Sequence, residues 1–284
     1  MTTREPLDID RLTRHLVESG TYARIAHTPE TGSTNTDVVA LARQGAPAWT
    51  ALLTEYQNAG RGRHGRAWTA PHGSQLILSV LLRPPAQALD NLGTMPLITG
   101  LAVVDALTAM AEKLGREEII PVLKWPNDAL IGGRKLCGML GETVSLGPNP
   151  ALVMGLGLNV SLTTAELPVP HAISLDLAAP GLELDRTELA IEVLRALRTR
   201  LGQWATNDPQ AMADYRAACS SLGADVRVLL PGDRQLLGTV TNVDDDGRLR
   251  VRDNTGTEHT VAAGDVEHLR LQQDPWESTR KAGQ

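Results

Sequence analysis

The chain has no phenylalanine, and its aromatic residues are five tryptophans and three tyrosines, 3% of 284 residues. Its core must therefore be filled by Leu, Val, Ile and Ala. Cysteine is almost as scarce: only Cys137 and Cys219 occur. That excludes a disulfide framework and points to a reducing compartment. No Cys-x-x-Cys pair exists, and the seven histidines include no pair at helical spacing, so familiar metal-site patterns are missing. The opening MTTREPLDIDRL lacks the apolar stretch of a secretory signal, and no run reads as the roughly 18 apolar residues of a membrane span. A cytoplasmic protein without a membrane partner is the expectation. Positive charge is also in deficit, with 27 Lys and Arg against 33 Asp and Glu, net −6, which argues against a general nucleic-acid surface. With 42% apolar and 21% charged residues the chain can bury a sizeable core, and its length implies one large and one small domain.

Local patterns divide the chain. STNTDVVALARQG reads as a short helix that Ser33 or Thr34 can cap and Gly45 can end. TALLTEY (50–56) and SQLILSVLLRPP (74–85) read as strands entering and leaving a loop. Residues 95–115 have helical spacing and a terminal glycine. IIPVLKWPND, ALIGGRKLCGMLGETV and ALVMGLGLNV read as three further strands, the first two joined by a Gly-Gly turn. Residues 162–184 have no clear period and read as a long loop. Asp185 and Glu188 form a capping-box pattern ahead of a helix with Leu189, Val193, Leu197, Leu201 and Trp204 on one face. After Gly223 the sequence alternates and is cut by PGD, DDDG and DNTG turns, as in a small antiparallel barrel of SH3 type. The expected organisation is a large domain over 1–222, a small one over 223–271, and a polar tail over 272–284.

The densest chemistry lies in GRGRHGRAW (60–68). Glycine lets backbone approach a ligand, and arginine offers planar, permanently charged donors that match carboxylate and phosphate. In an acidic chain this basic island suits a loop that closes over a small anion. An exposed loop of no consequence and an RNA-binding RGG tract are the alternatives. The segment lacks the Gly-Lys-Ser/Thr ending of a P-loop. KWPNDALIGGRKLCG (124–138) carries Lys124, Asn127, Asp128 and Lys135, which a hairpin would bring together. In GLGLN (155–159) the glycines fit either a bulge or close approach to a ligand, with Asn159 as a polar handle. Cys137 reads as core, Ser33 and Ser79 lack a nucleophile elbow, and His64 has no evident partner.

Taken in order, GSTN, EYQNAGRGRHGRAW, KWPND, GRKLCGML-E and GLGLN resemble the biotin–protein ligases, over about residues 27–270. The resemblance implies an α/β (α+β) fold: a central mixed β-sheet flanked by helices, of the class II synthetase and biotin–lipoate ligase kind, followed by an SH3-like barrel. It implies that biotin and ATP, with Mg2+, form biotinyl-5′-adenylate, and that a lysine of a biotin carboxyl carrier domain of a carboxylase then takes the biotinyl group. On this reading Ser33, Thr34, Asn35, Gln57, Arg61, Gly62, Arg63, Lys135 and Gly138 form the biotin pocket. Arg66, Trp68, Lys124, Asn127 and Asn159 hold ATP, with Trp68 over the adenine side. Lys135 is the main electrostatic catalyst, Arg63 supports it, and Asp128 orients or deprotonates the incoming lysine. No protein side chains are assigned to a metal. The arginine loop is expected to be disordered in the free enzyme and to fold over the adenylate. Family members occur as monomers and homodimers. Some begin with a winged helix-turn-helix; here GSTN starts at residue 32, so a ligase without nucleic-acid binding is expected. A lipoate–protein ligase and a non-catalytic nucleic-acid-binding module are the rival readings.

Overall fold

A computed structural model describes residues 4–269 apart from 231 and 233; the expected polar tail lies outside these residues. The large unit is built on a seven-stranded mixed sheet. Its strands are β1 (Arg24–Thr28), β2 (Thr50–Thr54), β3 (Gln75–Leu82), β4 (Val122–Lys124), β5 (Asp128–Ile131), β6 (Arg134–Ser145) and β7 (Ala151–Asn159), in the spatial order β1-β2-β3-β7-β6-β5-β4. Only β1 and β2 run parallel. Every residue of β2, β3 and β7 is buried, because both faces of the sheet centre are covered.

The helices supply that cover. They are α1 (Ile9–Leu12), α2 (Thr34–Arg43), α3 (Met95–Leu114), α4 (Leu175–Ala178), α5 (Arg186–Ala205) and α6 (Pro209–Ala218). On one face Val38 and Ala42 of α2 pack against Leu52, Leu81 and Val153. On the other, α3 and α5 close over Leu53, Leu78, Val80 and Met154. Gly115 ends α3 at φ 64°, a left-handed conformation that suits glycine. The run Ala86–Leu114, which contains α3, is long and apolar enough by length and composition to cross a membrane, and the sequence reading did not count it. Here 72% of its apolar window is buried inside the fold, so it serves as a core helix. All five α5 residues assigned to one face, Leu189, Val193, Leu197, Leu201 and Trp204, are buried. Asp185 caps α5 by accepting from the Thr187 and Glu188 N–H groups. Glu188 does not complete a capping box; its carboxylate turns outward to Arg11 and Lys113.

Other segments depart from the sequence reading. KWPND is itself a tight turn joining β4 to β5, and the Gly132-Gly133 turn joins β5 to β6. The segment read as one long loop holds α4 and a 3-10 turn at Thr164–Glu166. The structure adds helices α1 and α6, the π turn Thr13–Val17 and strand β1 to the elements expected from the sequence.

The small unit is a five-stranded antiparallel sheet: β8 (Asp225–Leu230), β9 (Arg234–Val243), β10 (Leu249–Arg252), β11 (Glu258–Val261) and β12 (Asp265–His268), ordered β11-β10-β9-β8-β12. Trp125 anchors it to the large unit, donating from Nε1 to the Gly247 carbonyl at 2.8 Å. Arg216 Nε donates to the Val243 carbonyl at 2.7 Å. Val226, Val228 and Val240 belong to the same apolar cluster as α3 and α5, so the two units share one core. That shared core fixes β12 against the mouth of the large sheet.

Candidate functional site

The arginine loop leaves β2 and folds back on itself. Gly62 N–H donates to the Arg66 carbonyl at 2.7 Å and Trp68 N–H to the Gly60 carbonyl at 2.9 Å. The reversal is sharp enough that His64 and Gly65 both take positive φ, 56° and 72°. Its tip meets the small sheet. Arg63 donates to Asn127 Oδ1 (3.3 Å), Asp265 Oδ1 (3.4 Å) and the Gly264 carbonyl (3.2 Å). Arg66 pairs with the other Asp265 oxygen. His64 Nε2 stands 3.9 Å from Asp265, a partner not evident in the sequence. The loop is folded over a cavity and tied at its tip.

Lys135 reaches the same cavity from β6. The β5–β6 register slips between Ala129 and Leu130, which pair with Cys137 and Lys135. Leu136 is the extra residue of a bulge, and Leu136 and Cys137 are both fully buried although adjacent. Strict alternation would put Lys135 and Gly138 on opposite faces; the bulge reverses this. A Cβ added to Gly138 would lie 3.2 Å from Lys135 Nζ. The ammonium stands 2.6 Å from Asp128 Oδ1, a close ion pair whose alignment is poor for a hydrogen bond. It also sits 5.3 Å from the Trp68 ring centre. Asn127 is held by Nδ2 donating to the Met139 carbonyl at 2.8 Å.

At the far end, polar side chains form a connected network. Ser33 occupies the N-cap of α2, yet its hydroxyl makes no cap bond. Instead Gln57 Oε1 accepts from the Thr34 N–H at 2.8 Å. Ser79 Oγ lies 2.7 Å from Thr34 Oγ1 and 2.6 Å from Asn35 Oδ1. Asn35 Nδ2 donates to Glu142 at 2.9 Å, and Arg61 reaches Thr36 at 2.9 Å and Glu142 at 3.5 Å. Ile77, Leu130, Leu140 and Leu156 supply apolar wall. The floor is made flat by glycine. A Cβ at Gly155 would fall 2.1 Å from Asn35 Oδ1, and one at Gly157 would fall 2.2 Å from Trp68 Nε1. The close approach that GLGLN allows is thus made by the chain's own Asn35 and Trp68. Trp68 Nε1 is buried there without an acceptor.

The small sheet closes the remaining side with Leu229, Asp265, Val266, Glu267 and His268. Burial, with Lys135 and Arg66 nearby, holds the Lys124 ammonium pKa below its ordinary value, against Asp128 and Glu267. Burial, aided by the Lys124 charge, pushes His268 down to about 4. Burial also lowers the Arg63 pKa, against the pull of Asp128, and an arginine with so high an ordinary value stays charged. Cys137 is buried and its thiol pKa is pushed well up, which leaves it inert as a nucleophile.

One cavity of about 640 Å3 gathers Ser33, Thr34, Asn35, Gln57, Arg61, Gly62, Arg63, Arg66, Trp68, Lys124, Asn127, Asp128, Lys135 and Gly138. Asn159 is the selected residue not brought to it. Its Oδ1 accepts from Gln75 at 2.7 Å and its Nδ2 donates to the Ile173 carbonyl at 2.9 Å, so it braces the segment beside Lys135 from behind. Sequence reasoning missed Glu142, Asp265, Glu267 and His268, and weighed Ser79 only as a nucleophile. Glu142 alone had a signal, as the last residue of GRKLCGMLGE. Five lining cations, Arg61, Arg63, Arg66, Lys124 and Lys135, face three carboxylates, Asp128, Asp265 and Glu267. In a chain of net charge −6 that local excess selects for anions. The cavity can therefore seat a mainly apolar acid with a polar head beside a phosphorylated partner.

Residues 29–159 match the biotin/lipoate A/B protein ligase family, and residues 221–269 match the biotin protein ligase C-terminal domain. The chain is 41% identical over 271 residues to the biotin–(acetyl-CoA-carboxylase) ligase of Mycobacterium tuberculosis, covering 94% of this chain and 97% of that one. It is 32% identical over 206 residues to the bifunctional ligase/repressor BirA of Escherichia coli, covering 70% of this chain and 60% of that protein. Among solved structures, the biotin protein ligase from Aquifex aeolicus in complex with biotin and ATP superposes with a TM-score of 0.71 at 26% identity, covering 87% of this chain and 98% of that one.

Proposed function

Because the chain belongs to the biotin/lipoate A/B protein ligase family, we infer that it attaches biotin to a lysine of an acceptor protein at the expense of ATP, through biotinyl-5′-AMP. The observation that carries this reading is the convergence of Arg63 and Lys135, from segments 72 positions apart (135 − 63), on one cavity that also has an apolar wall and a polar end. A biotin carboxylate oxygen attacks the α-phosphorus of ATP, the bond to the β-phosphate breaks, and pyrophosphate leaves. Two like charges at about 4 Å repel by roughly 4 kcal/mol at an effective dielectric near 20. Lys135 lies where it can offset that repulsion and stabilise the charge that develops at phosphorus. Arg63, Arg66, Lys124 and Asn127 are assigned to the nucleotide's phosphates. Ser33, Thr34, Asn35, Gln57 and Arg61 are assigned to the polar head of biotin, with Gly138 keeping the floor open. Asn159 acts behind the wall. Trp68 is assigned to cover the joined ligands.

Among the described residues no group of three or more His, Cys, Asp or Glu could hold a metal by itself. We assign the Mg2+ ion to the nucleotide's phosphates. The ion would neutralise phosphate charge. In the second step the acceptor amine attacks the biotinyl carbonyl and AMP leaves. Asp128 is committed to Lys135, so its use as a base requires that pair to open.

The acceptor we assign is a biotin carboxyl carrier domain, after the carboxylase ligase to which the chain is similar. Two free, buried cysteines fit a reducing, cytoplasmic setting. The test is mass spectrometry of a carrier domain incubated with biotin, Mg·ATP and this protein. The expected result is one added biotinyl group on one lysine. Adenylate formed from lipoate and not from biotin would overturn the assignment.

A further inference from the structure

We propose that Asp265, on the small C-terminal sheet, is a positioning residue for the ligation reaction: it fixes the arginine loop over the cavity and presents Arg63 and Arg66 to the nucleotide. The proposal rests on the ligase reading for its kinetic arm alone. β12 is an edge strand of its sheet, and it turns that edge toward the loop, with the Gly264 carbonyl accepting from Arg63 at 3.2 Å. Among the described residues, Asp265 is the one carboxylate that pairs with the loop's tip, through Arg63, Arg66 and His64 together. The loop's internal bonds close only its own turn. Its attachment to the cavity beyond that turn comes from Arg61 at one end, Trp68 on the glycine floor, the Asn127 contact and this clasp.

Two effects of Asp265 oppose each other. Its charge repels phosphate, and its hydrogen bonds order two guanidinium groups. Arg63 holds all three of its acceptors at 3.2–3.4 Å, long for charge-assisted bonds, so its N–H groups remain able to turn to a phosphate. The Arg66 side chain is 65% exposed and would be free in solvent without the clasp. A ligand would then have to order both side chains and the loop itself, at a cost in affinity. Ordering therefore outweighs repulsion, and losing Asp265 weakens nucleotide binding.

The experiment compares wild type with Asp265→Ala, Asp265→Asn and Asp265→Glu in the full chain. Trypsin cleavage after Arg61, Arg63 and Arg66, mapped by mass spectrometry without ligands, reads the loop directly. The Ala and Asn variants should be cut there about tenfold faster than wild type, the scale of one lost charge-assisted bond, and the Glu variant should recover most of the protection. With biotin saturating, the KM for ATP should rise about tenfold in Ala and Asn while kcat falls less, and the melting temperature should stay close to wild type. Wild-type cleavage and KM in Asp265→Asn would overturn the proposal. So would losses that merely track a fall in melting temperature, since that is a folding role. If wild type itself forms no adenylate, the ligase reading fails while the cleavage comparison still decides the clasp.

Discussion

Lys135 Nζ stands 2.6 Å from Asp128 Oδ1, although the strand register pairs Asp128 with Gly138. The bulge at Leu136 is what permits both. It turns Lys135 onto the cavity face, and Asp128 and the Trp68 ring then fix its direction. An ammonium held by the protein's own groups in this way meets the condition for strong electrostatic catalysis.

Lys135→Ala should slow adenylate formation by about 100-fold or more, the usual cost of deleting one preorganised donor. The melting temperature should change little, because the Arg63 and Lys124 charges remain to offset Asp128. Pyrophosphate release with saturating biotin and ATP measures the first, and a thermal scan the second. A near-normal rate in a folded variant removes Lys135 from the chemistry.

The glycine floor gives a paired prediction. In Gly155→Ala the new methyl meets Asn35 Oδ1, which is bound to Ser79 and belongs to the buried network that includes Thr34 and Gln57. That network must rearrange, so we expect a destabilisation of about 1–3 kcal/mol and a biotin Kd raised about tenfold. In Gly157→Ala the methyl meets Trp68, which sits on a loop and can swing away. Its stability should hold, and the change should appear in tryptophan fluorescence and in faster proteolysis of residues 60–68. Calorimetric titration with biotin and denaturant unfolding separate the two variants. Equal effects on stability would mean that the floor does not discriminate between them.

These glycines also mark how far the sequence could be read. GRGRHGRAW, KWPND and GRKLCG carry their chemistry in adjacent residues, so their shared cavity was legible once a hairpin was assumed. Asn159 was legible as a polar residue at a strand end, but its side chain is taken by Gln75 and Ile173, partners far away in sequence. Asp265 and His268 were not legible. Each stands in an ordinary alternating strand; Asp265 is made special by the docking of β12 against a loop about 200 positions earlier, and His268 by Ser221 and the Lys124 charge. The bulge at Leu136 was hidden for a related reason: a run of apolar residues shows no break where the facing alternates.

Arg186 and Glu55 form a buried ion pair at the back of the sheet, with side chains 9% and 2% exposed. Arg186 also donates to the Gln75 and Glu5 carbonyls, and Glu55 accepts from the Leu7 N–H. Arg186→Met would leave the buried carboxylate with only the Leu7 N–H and His27 beside it, for a loss of about 3–5 kcal/mol in urea unfolding. The double variant Arg186→Met with Glu55→Gln should recover part of that loss, since no charge is then left unpaired. A single variant as stable as wild type would show that the pair carries no weight in the fold.

His268 sets the last expectation, a dependence of stability on pH. Its ring is buried, and Nε2 lies 3.0 Å from Ser221 Oγ, which itself accepts from the Trp125 N–H. Nε2 and the serine hydroxyl share this hydrogen bond, and a neutral ring is what the buried site accommodates. Burial, with the Lys124 charge beside it, lowers the pKa from 6.5 to about 4. Between those values the unfolded chain takes up a proton that the folded chain refuses. Stability contributed by this group is thus complete above pH 6.5, falls as the pH drops, and levels out below about pH 4, a change of at most about 3 kcal/mol. His268→Gln keeps a hydrogen-bond partner for Ser221 and removes the titration. Carboxylates that titrate in the same range act on both proteins alike, so the difference between the two melting curves isolates the histidine. Wild type should lose more melting temperature than His268→Gln between pH 6.5 and 4.5, and parallel losses would show that the imidazole is protonated as easily in the folded chain as in the unfolded one.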